Sequence, residues 1–264
     1  MDKRLAQFER LLNIMDDLRA ECPWDKKQTL DSLRHLTIEE TYELCDAILE
    51  DDMEELKGEI GDLMVHLVFY SKIASEKKYF DIADVLEFVC EKLIRRHPHI
   101  YSDTKAETEE AVKENWEKIK LQEKGKKGKE KTVLQGVPRS LPALVKAIRI
   151  QDKVKGVGFD WDNKKQAWDK VKEEIKEFQI EEKKQDVQKM EDEFGDVLFS
   201  LVKYARFIGV NPEDALERTN KKFLKRFTEM EITIRSKGLN MSDMSLSEME
   251  QFWESAKQKQ NREN

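Results

Sequence analysis

Val171-Lys172-Glu173-Glu174-Ile175-Lys176-Glu177, followed by Asp192-Glu193-Phe194-Gly195-Asp196, is the second copy of an arrangement that first reads Thr37-Ile38-Glu39-Glu40-Thr41-Tyr42-Glu43 and Gly58-Glu59-Ile60-Gly61-Asp62. Glu40, Glu43, Glu59 and Asp62 each recur 134 positions later. Residues three apart share one face of a helix. Each Glu/Glu and Glu/Asp pair therefore presents two carboxylates side by side. Two acidic helical pairs at one spacing, kept twice, point to two helical domains in tandem and to an oxygen cage in each.

Helical periodicity extends outward from these stretches. Leu5, Phe8, Leu11, Leu12, Met15 and Leu18 make one apolar stripe; Asp51 and Asp52 open a helix whose stripe is Leu56, Ile60, Leu63, Met64, Leu67 and Tyr70. Asp81 is placed to cap a helix through Val85, Leu86, Val89 and Leu93 that stops at His97-Pro98. A further helix carries Val112, Trp116 and Ile119. Lys120 to Lys131 is rich in Lys, Gly and Glu without an apolar face, which reads as an exposed linker. Pro138 and Pro142 start a helix through Leu144, Val145, Ile148 and Ile150. Asn211-Pro212-Glu213 supplies cap, first-turn proline and acidic first turn for another, and Gly238 is a stop. The expected architecture is all-α: a domain at 1–121, a linker at 122–137 and a second domain at 138–264. No segment alternates with the period of a strand.

The 264 residues suit two ordinary domains. A 39 % charged fraction with only 10 Gly and 5 Pro favours amphipathic helices over a sandwich or barrel, which need frequent turns. The net charge of −7 disfavours nucleic-acid binding through a basic surface. Cys22, Cys45 and Cys90 are odd in number and scattered, as expected of reduced thiols. Met1-Asp2-Lys3-Arg4 leads into a charged pattern rather than a signal peptide, and no apolar run approaches the roughly 20 residues that span a bilayer. A cytoplasmic protein without membrane attachment is expected.

Glu59 and Asp62 flank the stripe Leu56–Ile60–Leu63, and Glu193 and Asp196 lie beside Met190, Phe194 and Val197, so both pairs are expected to face the bundle interior. Inward carboxylates repel, and each uncompensated ion costs several kcal/mol to desolvate; a bound cation removes that cost. Helical di-iron sites use Glu-x-x-His pairs, yet His35, His66, His97 and His99 all lie in the first half. An oxygen-only set suits Mg²⁺, with Mn²⁺ a substitute. The competing view is a solvated acidic face, the usual place of Glu. Gly61 and Gly195 weigh against it: a glycine inside a helix costs about 1 kcal/mol relative to Ala, and close approach of a neighbouring backbone or a ligand is the expected compensation.

Lys222 and Arg226 share a helical face with Lys225 adjacent, echoing Lys92, Arg95 and Arg96. They are either phosphate contacts or surface ion pairs. Trp116 and Trp253 either stack on a base or belong to the core.

With Cys22-Pro23-Trp24-Asp25, Arg95-Arg96-His97-Pro98-His99, Pro138-Arg139-Ser140-Leu141-Pro142 and Val157-Gly158-Phe159-Asp160-Trp161 added to the duplicated acids, nearly the whole chain resembles the MazG family of nucleoside triphosphate pyrophosphohydrolases, in the all-α NTP pyrophosphatase superfamily. The resemblance implies two MazG-like helical bundles, homodimerisation, Mg²⁺ dependence, and hydrolysis of nucleoside triphosphates such as ATP to the monophosphate and pyrophosphate. It places metal ligands at Glu174, Glu177, Glu193 and Asp196, with a second set at Glu40, Glu43, Glu59 and Asp62. Nucleotide contacts fall on Lys170 through Glu173, Lys189 through Asp192, Lys222 through Arg226, and Trp253. The first half has Leu36 and Glu55 where Lys170 and Lys189 stand, so the second domain is expected to be the main catalytic one.

The implied mechanism is metal-assisted water attack, with Glu173 or Glu174 orienting the water and Lys222 and Arg226 offsetting charge on pyrophosphate. Two rivals are a non-catalytic Mg²⁺–nucleotide or alarmone sensor acting through a protein partner, and a purely structural bundle.

Overall fold

The computed structural model describes residues 2–102, 108, 112, 115–116, 119–120, 123 and 132–263. The chain divides into two compact units, Met1–Glu123 and Lys124–Asn264. Among the described residues every regular element is a helix.

The first unit contains α1 (Lys3–Glu21), a 3-10 turn (Asp25–Lys27), α2 (Leu30–Glu50), α3 (Met53–Glu76), α4 (Ile82–Arg96) and α5 (Pro98–Tyr101). Each long helix starts where a short polar side chain accepts orphan backbone N–H groups. Asp2 accepts from Arg4, Asp52 from Glu54 and Glu55, and Asp81 from Ala83 and Asp84. Thr29 and Ser32 close a reciprocal capping box on α2. Val112, Asn115, Trp116, Ile119 and Lys120 are also helical.

The second unit contains α6 (Ala143–Lys155), α7 (Lys164–Lys184), α8 (Val187–Phe207), α9 (Pro212–Ser236), a 3-10 turn (Met241–Asp243) and α10 (Leu246–Glu263). Asn163 caps α7, Asn211 with Pro212 opens α9, and Gly238 follows its end at φ +71°. Of the expected linker, 122 and 124–131 lie outside the described residues, as does Glu117. Thr132 to Gly136 turns into α6, where the buried Lys153 donates to the Val133 and Gln135 carbonyls at 3.2 and 3.4 Å.

The repeat extends to backbone geometry. Asp51 joins α2 to α3 at φ 57°, ψ 30°, and Gln185, 134 positions later, joins α7 to α8 at φ 56°, ψ 31°. The next residue in each case, Asp52 or Asp186, caps the following helix. Two residues thus reverse the chain and force α2 against α3, and α7 against α8, as antiparallel pairs.

The first core gathers Met15 of α1, Leu33 of α2, and Val68, Phe69 and Ile73 of α3. Two expected stripes are corrected. Leu5 and Leu18 of α1 are exposed, and so are Ile60, Met64 and Leu67 of α3, whose buried face runs instead through Glu59, His66, Phe69 and Ile73. Helix α3 is apolar on two faces, so period alone does not say which one meets α1 and α2. Phe194 in α8 is likewise exposed while Val197 is buried. The glycine expectation is corrected in part. A Cβ on Gly61 or Gly195 would meet nothing within 4 Å, so among the described residues no neighbouring backbone fills that space.

Leu33→Ala, at a side chain with no exposed surface, is expected to lower stability by about 2–5 kcal/mol. Leu5→Ala, at 64 % exposure, should change it by about 0.5 kcal/mol or less. Urea unfolding followed by circular dichroism measures both.

Candidate metal centre

The tight α7–α8 reversal sets one acidic turn opposite another. Glu174 and Glu177 lie one turn apart on α7, and Glu193 faces them from α8; one carboxylate oxygen from each lies within 4.8 Å of the other two. Glu40, Glu43 and Glu59 repeat this across α2 and α3. In both triads one member is buried, Glu174 in the second unit and Glu59 in the first. Asp62 and Asp196, one turn further along, are exposed and stand outside these sets.

The electrostatics record the strain of assembly. Glu40 and Glu59 are held above the usual carboxylate range, first by desolvation and then by neighbouring carboxylates, Asp62 and Glu43 for the one and Glu43 and Glu40 for the other. Glu177 is raised first by its hydrogen bond with Glu174, then by burial and that neighbour's charge. The buried Oε2 of Glu59 has no hydrogen-bond partner among the described residues. Convergent oxygen donors, mutual repulsion and an orphaned carboxylate oxygen fit a hard divalent cation, without a nitrogen or sulfur ligand in either triad.

The units differ in how they balance this charge. Lys170 Nζ lies 2.7 Å from Glu173 and 2.8 Å from Glu174, and these contacts hold its ammonium more firmly protonated than usual. Leu36 occupies the matching position in the first unit. A cavity of about 340 Å³ opens beside the second triad, lined by Lys170, Glu174 and Asp196 together with Phe159, Trp161 and Lys203. Sequence reasoning did not single out Lys203 or Phe199, also in that lining. The available signal was internal, since the first half has Phe69 at the position of Lys203.

The remaining expected residues fall elsewhere on the second unit. Arg226 donates through Nε to Gln260 of α10 at 2.7 Å, and Lys225 and Arg226 line a groove against α10. Trp253 packs on Phe223 with ring centroids 5.0 Å apart. Lys222 is exposed on the same helix; Lys189, 3.7 Å from Asp186, and Asp192 and Glu173 are exposed on α8 and α7. The echo in the first unit has a structural use: Arg95 and Arg96 both grip Glu123, at 2.8 and 2.6 Å. The Arg96 hydrogen bond, ahead of that from Arg95, pulls this carboxyl down to about 2.

A carboxyl with a raised folded pKa makes the metal-free fold less stable as pH climbs from the ordinary Glu range through that raised value. Glu177→Gln is therefore expected to raise the melting temperature of the protein in EDTA at neutral pH and to blunt the further rise that a divalent ion produces. Thermal scans with and without Mg²⁺ decide it, and a lower melting temperature in EDTA would contradict it.

A family model described as the MazG nucleotide pyrophosphohydrolase domain matches residues 28–101 and 163–230, one match over each acid-bearing helix pair. The chain is 42 % identical over 261 residues to an Escherichia coli K12 protein named nucleoside triphosphate pyrophosphohydrolase, covering 97 % of this chain and 99 % of that one. It is 42 % identical over 252 residues to a Thermotoga maritima protein named nucleoside triphosphate pyrophosphohydrolase/pyrophosphatase MazG, covering 95 % of each. A Bacillus subtilis protein, the uncharacterised YabN, is 42 % identical over 259 residues, which cover 97 % of this chain and 53 % of YabN. Two helical acid-bearing hairpins, each matched by the same family model, and end-to-end similarity at this level lead to one conclusion: the chain belongs to the MazG nucleotide pyrophosphohydrolase family.

Proposed function

We propose that this protein hydrolyses nucleoside triphosphates to the monophosphate and pyrophosphate, with Mg²⁺ held in the second unit by Glu174, Glu177, Glu193 and Asp196. The observation that carries this reading is the convergence of three glutamate oxygens beside Lys170 and an open cavity. The names of the full-length relatives support the reaction class. Mg²⁺, or Mn²⁺ in its place, would polarise the phosphate and lower the pKa of the attacking water when bound.

The chain's own residues do the rest. Glu173, exposed and held by Lys170, orients the water and takes its proton as the new phosphorus–oxygen bond forms. Water attacks the α-phosphorus, the bond to the bridging oxygen breaks, and pyrophosphate departs with that oxygen. Lys170 offsets charge beside the carboxylates, and Lys222, Lys225 and Arg226, with Lys189, Asp192 and Trp253, make the outer contacts to the nucleotide. Exposed Phe194, Leu198 and Leu201 along α8 support homodimerisation through an apolar helix face. The first unit keeps its carboxylates but has Leu36 and Glu55 in place of the two lysines, so its site at Glu40, Glu43, Glu59 and Asp62 is the weaker one.

Glu174→Ala is expected to lower kcat/KM on the order of a hundredfold or more, whereas Glu40→Ala should leave most turnover intact. Equal losses would remove the asymmetry. Ion chromatography of the products should show pyrophosphate and the monophosphate; orthophosphate as first product would reject the reaction.

A further inference from the structure

The cavity beside the second triad has a wall that the triphosphate chemistry does not use. Phe159 and Phe199 both line it and are 72 % and 40 % exposed, so two large apolar rings meet solvent there. Phe159 belongs to the turn after α6, and Gly158 at φ +83° directs that turn. Asp160 pins the turn to α8: its carboxylate accepts from Arg206 at 2.6 Å, lies 3.6 Å from Lys203, and accepts from the Trp161 backbone N–H at 2.9 Å. Lys203 Nζ in turn sits 3.6 Å from the centre of the Trp161 ring, with only 11 % of its side chain exposed.

The first unit carries different side chains at the matching positions. Position 69, matching Lys203, is a phenylalanine with 2 % exposure at the centre of the core, and positions 36 and 66, matching Lys170 and Ser200, are leucine and a buried histidine. In the second unit the same position as Phe69 is a partly buried ammonium, paired with Asp160 and set over the Trp161 ring. It also lines the cavity beside two solvent-facing aromatic rings, so this wall offers a flat, polar-edged occupant stacking faces and a hydrogen-bond donor together.

We propose that this cavity holds the base of the triphosphate, stacked between Phe159 and Phe199, and that Lys203 selects bases that present a carbonyl oxygen. The inference rests on the proposed hydrolysis at the adjoining triad. An ammonium has three donors and no acceptor, so it bonds the 6-oxo group of hypoxanthine or guanine and the 4-oxo group of uracil. It meets a donor in the amino groups of adenine and cytosine at the same edge. Phe159 and Phe199 stack on any base and give no such discrimination. Asp160 and Arg206 are positioning residues, since they hold the turn that carries Phe159.

Steady-state kinetics with GTP, ITP and UTP against ATP and CTP test this. The wild type is expected to favour the oxo bases roughly tenfold or more in kcat/KM. Lys203→Met should erase that preference by lowering the oxo class, and Phe159→Ala should raise KM for all five. Fluorescence titration in EDTA gives a metal-free readout: IMP should bind more tightly than AMP to the wild type and equally to Lys203→Met. No base ranking in the wild type, a uniform loss across all five in Lys203→Met, or an unchanged KM in Phe159→Ala would each overturn the proposal. If Lys203→Met does not fold, the wild-type ranking and the exposed Phe159 position still decide. Orthophosphate release would sink the proposed reaction while leaving the base ranking readable; pyrophosphate release without a ranking would sink only this inference.

Discussion

Repulsion among three carboxylates gathered at a helix hairpin is the constraint around which each unit is arranged. Placing Glu174, Glu177 and Glu193 within 4.8 Å of one another is costly in the absence of a cation. The fold enforces it through means that are individually modest. A left-handed residue and an aspartate cap reverse the chain in two steps, at Asp51–Asp52 and again at Gln185–Asp186. Burial of Phe69 and Ile73 in the first unit, and of Val171 and Val197 in the second, then holds the helices together with the acids trapped between them. The raised carboxyl groups are the residue of that conflict.

The two units answer the same conflict differently. In the second, Lys170 pairs with Glu173 and Glu174 and leaves a cavity beside them. In the first, hydrophobic residues occupy the matching positions, and Glu59 keeps an oxygen without a partner. The acids are thus duplicated while the residues around them are not. Leu36 and Phe69 pack in the first unit's core where the second unit has Lys170 and Lys203.

Much of the fold was legible before coordinates because helix boundaries are local events. Caps at Asp52, Asp81 and Asn211, the proline at 212 and the glycine at 238 act through their nearest backbone neighbours, so their positions carry over directly into the structure. The apolar faces were less legible. Ile60, Met64 and Leu67 make as good a stripe as Val65, Phe69 and Ile73, and the first of these ended at the surface. Of the site, the three glutamates of each triad were visible as a repeated spacing. Lys203 was not, since nothing along α8 marks it and it gains meaning only against Trp161 and Asp160, which precede that helix.

Local chemistry along the chain therefore sufficed for the helical class, the tandem repeat and the acidic pairs, because each rests on contacts within one or two turns. Which face of α3 and α8 is buried, that three glutamate oxygens converge with the aspartate a turn further along, and that a cavity opens beside the lysine-bearing triad all required the packed chain. Those features depend on side chains distant in sequence competing for one volume, and periodicity within a single helix does not rank the competitors.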